Sequence, residues 1–299
     1  MVRKIAQKAE RVVVAGDDDQ AIHRWTGVDV GLFLGASSNY RVLDQSFRMP
    51  KSVHSLSQEI VKRIGNRRDK VFKPTDREGQ VDFVMNEHEL DLSEGSWTLM
   101  TRTNRKMHSW AEQLREDGFL YSKKGKSSID RDMAEVVVSW RHLQNGRALS
   151  HAQVMHLYDN VPKMGDAAVV KRGSKKLLEA ASPDAWLTYS ALVDEYGLIA
   201  PLEREAYDVA RMGKDTKNYV RAIERRGEDI LAEPRIKVSP FHGMKGGEDD
   251  NCAVSLESTW ACANTDYPDD EHRAMYVGIT RARNKLCIID TDSKYRYEL

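Results

Sequence analysis

The reading of this chain turns on one stretch, Val12-Val-Val-Ala-Gly-Asp-Asp-Asp-Gln-Ala-Ile-His-Arg-Trp-Thr-Gly27. Val12–Ala15 is a short β-branched run that stops at Gly16, the pattern of a buried strand running into a loop. Three acids and a glutamine then stand where α/β proteins place ligand chemistry, at the carboxyl edge of a sheet. The same string admits two other readings. An acidic loop can simply cap the next helix, and Gly16-Asp17-Asp18 also suits paired divalent ions in a nucleotidyl-transfer site.

Outward from this stretch, residues 2–10 read as the end of a helix and Asp17–Gly27 as a polar loop. Arg41–Leu43 opens a strand-like stretch, and Val53, Leu56, Ile60 and Ile64 give Lys51–Ile64 a helical period. Strands are predicted at Val81–Met85 and Trp97–Thr101. A helix carrying Met107, Trp110, Ala111 and Leu114 follows, then a short strand at Gly118–Tyr121. From about Asp130 to Glu233 the pattern is helices joined by polar turns. Strand signals return at Ile236–Phe241, Cys252–Leu256 and Lys285–Asp290. Alternation, a helical block, then alternation again predicts an α/β domain with a helical insertion, and 299 residues suffice for about two domains.

Lys+Arg and Asp+Glu both number 46, so any grip on nucleic acid must come from local patches and not from a global field. Cys252, Cys262 and Cys287 lack the spacing of a disulfide framework or a zinc site and read as reduced thiols in a cytoplasm. Mean hydropathy is −0.60, no apolar run is long enough to cross a bilayer, and the N-terminus lacks the features of a signal peptide.

Five strings in order carry a family resemblance. Val14–Gly27 resembles the GDDDQSIYxWRG segment of UvrD/Rep-type superfamily 1 DNA helicases, with His23 where Tyr is usual and Thr26 where Arg is usual. Leu43-Asp-Gln-Ser-Phe-Arg-Met-Pro50 resembles the family's L-x-x-N-Y-R-S, and Leu99-Met-Thr-Arg-Thr-Asn-Arg105 its strand-ending L-x-R-x-N. Val238–Asp249 resembles T-x-H-x-x-K-G-L-E-F, with Gly247 for Leu and Asp249 for an apolar residue. Glu271–Leu286 matches E-x-R-x-x-Y-V-A-x-T-R-A-x-x-x-L. The resemblance implies that Gln20, Arg48 and Arg281 sense the γ-phosphate of ATP. An arginine suits that task because its fixed charge and fork geometry match phosphate oxygens. It also implies adenine stacking by Phe47, a ribose contact by Glu248 and a phosphate-side turn at Gly246. DNA contacts would fall to Trp25, Arg102, Thr103, Asn104 and His242. A base can stack on Trp25 whatever its identity. For Thr103 and Asn104, capping of the following helix accounts for the residue type equally well. The Arg/Lys cluster Gly65–Phe72 continues the resemblance but receives no role.

The family also needs a Walker A loop, G-x-x-x-x-G-K-[ST], and a Walker B D-E-x-Q, and the sequence contains neither. Gly125-Lys-Ser127 lacks the earlier glycine, since Leu120 stands there, and Asp194-Glu195 lies in the helical block. The fold expected is therefore a RecA-like α/β motor domain (residues 40–125 and 235–299) interrupted by a helical accessory insertion (126–234). Residues 1–39 would be the remnant of a preceding RecA-like domain, with Met1 just downstream of its Walker B strand. The function implied is an ATP- and Mg²⁺-dependent 3′–5′ helicase acting on single-stranded DNA and duplex junctions. The chain alone is expected to be inactive without a Walker-bearing partner, because the Walker A cradle for the phosphates and most Mg²⁺ ligands would lie on that partner. The alternative is a non-enzymatic DNA- or protein-binding module, and a two-metal transferase stands third.

Overall fold

The computed structural model describes residues 9–27, 29–36 and 38–299, and of Trp25 the backbone only. Residues 2–8 of the helix expected at 2–10 lie outside the described residues, and 9–10 are not helical. The chain forms two compact units, one of residues 1–109 with 238–299 and one of residues 110–237.

The first unit is built on a sheet in which β1 (Gln80–Val84), β9 (Ala282–Ile289), β8 (Asp249–Ser255), β2 (Trp97–Thr101) and β7 (Ile236–Pro240) are successive neighbours. β1 runs parallel to β9, β9 to β8 and β8 to β2, with Val84 opposite Ile289, Val254 opposite Ile288 and Met100 opposite Val254. Parallel strands are covered on both faces and carry near-continuous apolar runs. All five residues of β2 are buried, as are Cys252–Ser255 of β8 and Leu286–Ile289 of β9. The outer strand β1 leaves Phe83 exposed. Helices α2 (Lys51–Val61) and α11 (Pro268–Ile279) supply Val53, Ile60, Met275, Val277 and Ile279 to a core shared with Met100, Val254, Leu286 and Ile288. The unit also contains the short α1 (Val30–Leu34) and α10 (Trp260–Ala263).

Two strand expectations fail, and a third, Gly118–Tyr121, holds only at Tyr121. Val12–Ala15 and Arg41–Leu43 are not in strands, and Val12, Val13, Val14 and Leu43 stay exposed. β-branched residues favour extended backbone, but a strand needs a neighbour to take its N–H and C=O groups, and neither segment has a ladder among the described residues. Just beyond the second segment, Gln45 makes an isolated parallel bridge to Lys73.

Helix α3 (Asn104–Glu116) carries Met107, Trp110, Ala111 and Leu114 in buried positions, as its period requires. The second unit is mainly helical: α4 (Arg131–Gln144), α5 (His151–Asn160), α6 (Lys175–Glu179), α7 (Tyr189–Asp194), α8 (Ala206–Val209) and α9 (Lys214–Arg225). Its buried residues include Trp140, Leu157, Tyr158, Leu178 and Ile223. Trp140 Nε1 donates to the Arg204 carbonyl at 2.8 Å, which satisfies its polar edge. Ser150 and Gln153 form a reciprocal capping box on α5. Two small pairs complete the unit, β5 (Leu149–Ser150) with β6 (Trp186–Leu187), and the hairpin of β3 (Tyr121–Lys123) with β4 (Lys126–Ser127). Gly125-Lys-Ser127 thus belongs to a two-residue hairpin turn whose central residues, Lys124 and Gly125, have φ of 51° and 78°. Asp194-Glu195 closes a short helix with both residues exposed.

Gly79 joins the start of α2 to β1. The carbonyls of Arg77 and Glu78 accept from the Lys51 and Ser52 N–H groups, so the turn satisfies two of the open donors of α2. Gly79 has φ +71°, and an added Cβ would stand 2.5 Å from Pro50 Cγ. Gly79→Ala is expected to cost about 2 kcal/mol or more, read by urea unfolding, because it combines left-handed strain with a ring contact.

Candidate functional site

The acidic string forms a tight 3-10 turn over Asp18–Gln20, capped by the Asp17 side chain on the Asp19 N–H. Asp18 and Asp19 are buried. Neighbouring buried carboxylates repel and lose hydration, so cations must be supplied. They come from the segment after α2. Lys70 Nζ bonds Asp17 Oδ1 at 2.7 Å, bonds Asp18 Oδ1, and lies 3.1 Å from Asp19 Oδ2. Arg67 donates two bonds to Asp19, at 2.9 and 3.0 Å, in the fork geometry that suits a carboxylate. The Arg68 N–H donates to Asp18 Oδ2 at 2.7 Å. Burial alone would raise the Asp18 pKa, but Lys70 and the Arg68 amide hold it below the usual carboxylate value. Burial likewise opposes the Lys70 charge, and Asp17, Asp18 and Asp19 outweigh it and raise its pKa.

Helix α11 fixes both sides of this cluster. Asp269 accepts from the Gly65 and Asn66 N–H groups at 2.9 and 2.8 Å. The buried Arg273 donates to the Asp18 carbonyl at 2.9 Å and the Asn66 carbonyl at 2.5 Å. Arg67 and Lys70 are the residues that sequence reasoning left without a role. The available signal was charge balance: three consecutive acids beside a buried turn require basic partners, and Gly65–Phe72 is the nearby basic run. Since Lys70 and Arg67 already face the three carboxylates, divalent ions would have to displace both, which weighs against the two-metal reading.

The same turn carries Gln20 to Arg281. Gln20 Nε2 donates to Asp17 Oδ2 at 2.6 Å, and Gln20 Oε1 accepts from an Arg281 terminal nitrogen at 3.2 Å. Arg281 lies just beyond α11 and is 1% exposed. Its other donors meet the Val277 carbonyl at 2.8 Å, the Gly247 carbonyl at 3.2 Å and Thr280 Oγ1 at 2.8 Å. Its pKa is pushed down to about 10, first by burial and then by the nearby Arg48 guanidinium. Arg48 has no full counter-charge: its nearest acid, Glu248, is 3.8 Å away, and its buried Nε has no hydrogen-bond partner among the described residues. Burial pulls its pKa down too, with Glu248 opposing. Gln20, Arg48, Glu248 and Arg281 are therefore brought together. Glu248 also pairs with Arg283, which together with Arg48 keeps its carboxylate ionised. Gly246 has φ +84° and open space where a side chain would stand. Phe47 is 89% exposed, with its ring in solvent.

Arg102 and His242 line a separate cavity of about 420 Å³ with Ile22, Arg24, Thr265, Asp270 and Glu271. Arg102 gives a two-pronged pair to Glu271 at 2.7 and 2.6 Å, so its charge is already matched. The His242 ring lies 6.2 Å from the His23 ring, centroid to centroid. Thr103 Oγ1 accepts from the Lys106 N–H at 3.2 Å and so caps α3, while Asn104 is exposed at its first turn. The Trp25 side chain lies outside the described residues. Asp249, at the position that departs from the family pattern, is buried and accepts from Thr98 Oγ1 at 2.8 Å.

The strings that build this site resemble those of UvrD/Rep-type superfamily 1 helicases, and known proteins similar to the chain include helicases. The chain is 27% identical over 297 residues to the ATP-dependent DNA helicase PcrA of Staphylococcus aureus (strain Mu50 / ATCC 700699), covering 96% of this chain and 31% of that protein. It is 24% identical over 136 residues to the ATP-dependent DNA helicase PcrA of Bacillus subtilis (strain 168), covering 43% of this chain and 18% of that protein. The chain thus spans less than a third of the length of these relatives. The C-terminal domain of a possible DNA helicase from Lactobacillus plantarum WCFS1 overlays with a TM-score of 0.24 at 11% identity, covering 84% of this chain and 90% of that one. No protein-family profile matches the chain.

The His242 pKa is pushed down to about 4, chiefly by burial and then by Arg102 and His23. The folded state thus binds fewer protons than the unfolded one between about pH 6.5 and pH 4. The stabilisation is complete above the unfolded value and lost as pH falls through the folded one. His242→Gln is expected to flatten the decline of unfolding free energy across that window, measured by urea titration at several pH values.

Proposed function

We propose that this chain is the phosphate-sensing and DNA-gripping portion of an ATP-driven helicase motor that moves 3′ to 5′ on single-stranded DNA. Residues 40–125 and 235–299 would form its second motor domain, 126–234 an accessory insertion, and 1–39 the end of the first motor domain. The observation that carries the reading is the Gln20–Arg281 hydrogen bond beside Arg48, whose buried Nε lacks a partner among the described residues. Burial disfavours the charge of both guanidinium groups, Arg48 disfavours that of Arg281 further, and the carboxylate nearest Arg48 stands 3.8 Å away, so the pair favours an added anion. The terminal phosphate of ATP has the charge and oxygen acceptors such a site would take.

ATP, when bound with Mg²⁺, supplies the phosphoryl-transfer free energy. Arg281 and Arg48 stabilise the charge that develops on the transferred phosphoryl group. Gln20 couples that charge to the loop that continues through His23 to Trp25. Phe47, with its exposed ring, offers a face to the adenine, and Glu248 reaches the ribose by exchanging its Arg283 partner. Arg102, Thr103, Asn104, His242 and Trp25 hold the single strand. Arg102 must release Glu271 to take a backbone phosphate, so phosphate binding and the Arg102–Glu271 pair compete. The Walker A amides and lysine and the Walker B acid belong to a further segment or a separate polypeptide. Positioning dominates phosphoryl transfer, so this chain alone turns over no ATP. The setting is cytoplasmic, on DNA under repair or replication.

The test is single-strand-stimulated ATP hydrolysis by the chain alone and mixed with a Walker-bearing helicase fragment. Turnover is expected only in the mixture, and Arg281→Ala should lower kcat about a thousandfold. Silence in both samples, with DNA binding intact, would replace the motor with a non-enzymatic DNA-binding module.

A further inference from the structure

Lys70 is buried among three carboxylates, yet it touches neither Gln20 nor Arg281 in any contact described above. Its effect on the site runs through Asp17. One Asp17 oxygen accepts from Lys70 and the other from the Gln20 amide. An ionised carboxylate can only accept a hydrogen bond, and a guanidinium can only donate. Placed between the two, Gln20 has a single satisfactory orientation: Nε2 toward Asp17 and Oε1 toward Arg281. Each neighbour disfavours the turned-over amide, and the two act in the same sense. Arg67 takes Asp19 with two bonds, which leaves Lys70 as the main cation for Asp17 and Asp18.

We propose that Lys70, acting through Asp17, is a positioning residue that orients the Gln20 amide so that its oxygen engages Arg281. The role in turnover rests on the motor reading, whereas the orientation itself does not. Asp18 supplies the internal control. It shares Lys70 with Asp17, is adjacent in the chain and carries the same charge, but no hydrogen bond links it to Gln20. A merely structural cluster would respond alike to loss of either carboxylate, and a relay would respond only to loss of Asp17.

The test has two arms. In the chain alone, nitrogen–proton correlation NMR follows the Gln20 side-chain amide. Asp17→Asn and Lys70→Met are expected to displace that resonance pair, and Asp18→Asn to leave it in place. Lys70→Arg is expected to restore much of what Lys70→Met displaces. Should Lys70→Met fail to fold, Asp17→Asn still decides, because it removes a negative charge from a buried acidic cluster. Equal displacement by Asp17→Asn and Asp18→Asn overturns the proposal. In the second arm, the chain is mixed with the Walker-bearing fragment. Asp17→Asn is expected to lower kcat about tenfold with KM for ATP within about twofold, while Asp18→Asn keeps kcat within about twofold. A silent wild-type mixture with an Asp17-dependent amide signal would overturn the motor reading and support the positioning. An active mixture in which both variants behave alike would do the reverse.

Discussion

Three consecutive aspartates cannot be folded into one turn unless cations arrive with them, and the first unit is organised around that requirement. Asp18 and Asp19 are buried, and an uncompensated carboxylate at such a depth would take up a proton or unfold the turn. The compensation comes from a segment about fifty residues away in sequence. That segment is held in place by α11, through Asp269 on its N–H groups and Arg273 on its carbonyl. Arg273 also grips the Asp18 carbonyl. The acid turn, the basic segment and α11 therefore stand or fall together, and Gln20 and Arg281 are the ends of that assembly.

Charge is distributed unevenly within it. Around Asp17–Asp19 every carboxylate has a cation. A few bonds away, Arg48 and Arg281 share little negative charge: burial lowers the proton affinity of both, and Arg48 lowers that of Arg281 further. A chain with zero formal net charge can hold both a saturated acidic cluster and an unsatisfied basic one, because burial makes local balance the quantity that matters. The unsatisfied pair is where an anion gains most, which is why the functional reading rests there and not on the cavity around His242.

Several residues with family-like positions are engaged inside the protein. Arg102 is paired with Glu271, Thr103 caps α3, and Glu248 lies between Arg48 and Arg283. A side chain type suited to a ligand is equally suited to a neighbour, and a linear string does not distinguish the two uses. Ligand binding at these positions would be an exchange of partners, so its net free energy is a difference between two good contacts.

By itself the sequence determined the α/β class, the placement of β2 and α3, the helical character of the intervening block and the strings that make Gln20, Arg48 and Arg281 candidates. Periodicity and local turn chemistry act over a few residues and survive in one dimension. Tertiary structure alone decided that Val12–Ala15 has no ladder, since a strand exists only with a neighbour. It also decided that Gly125-Lys-Ser127 serves a hairpin, and that the unassigned Arg67 and Lys70 neutralise the acid turn. Those outcomes depend on which distant groups meet in a low-dielectric interior, where a single unmatched charge outweighs any local propensity.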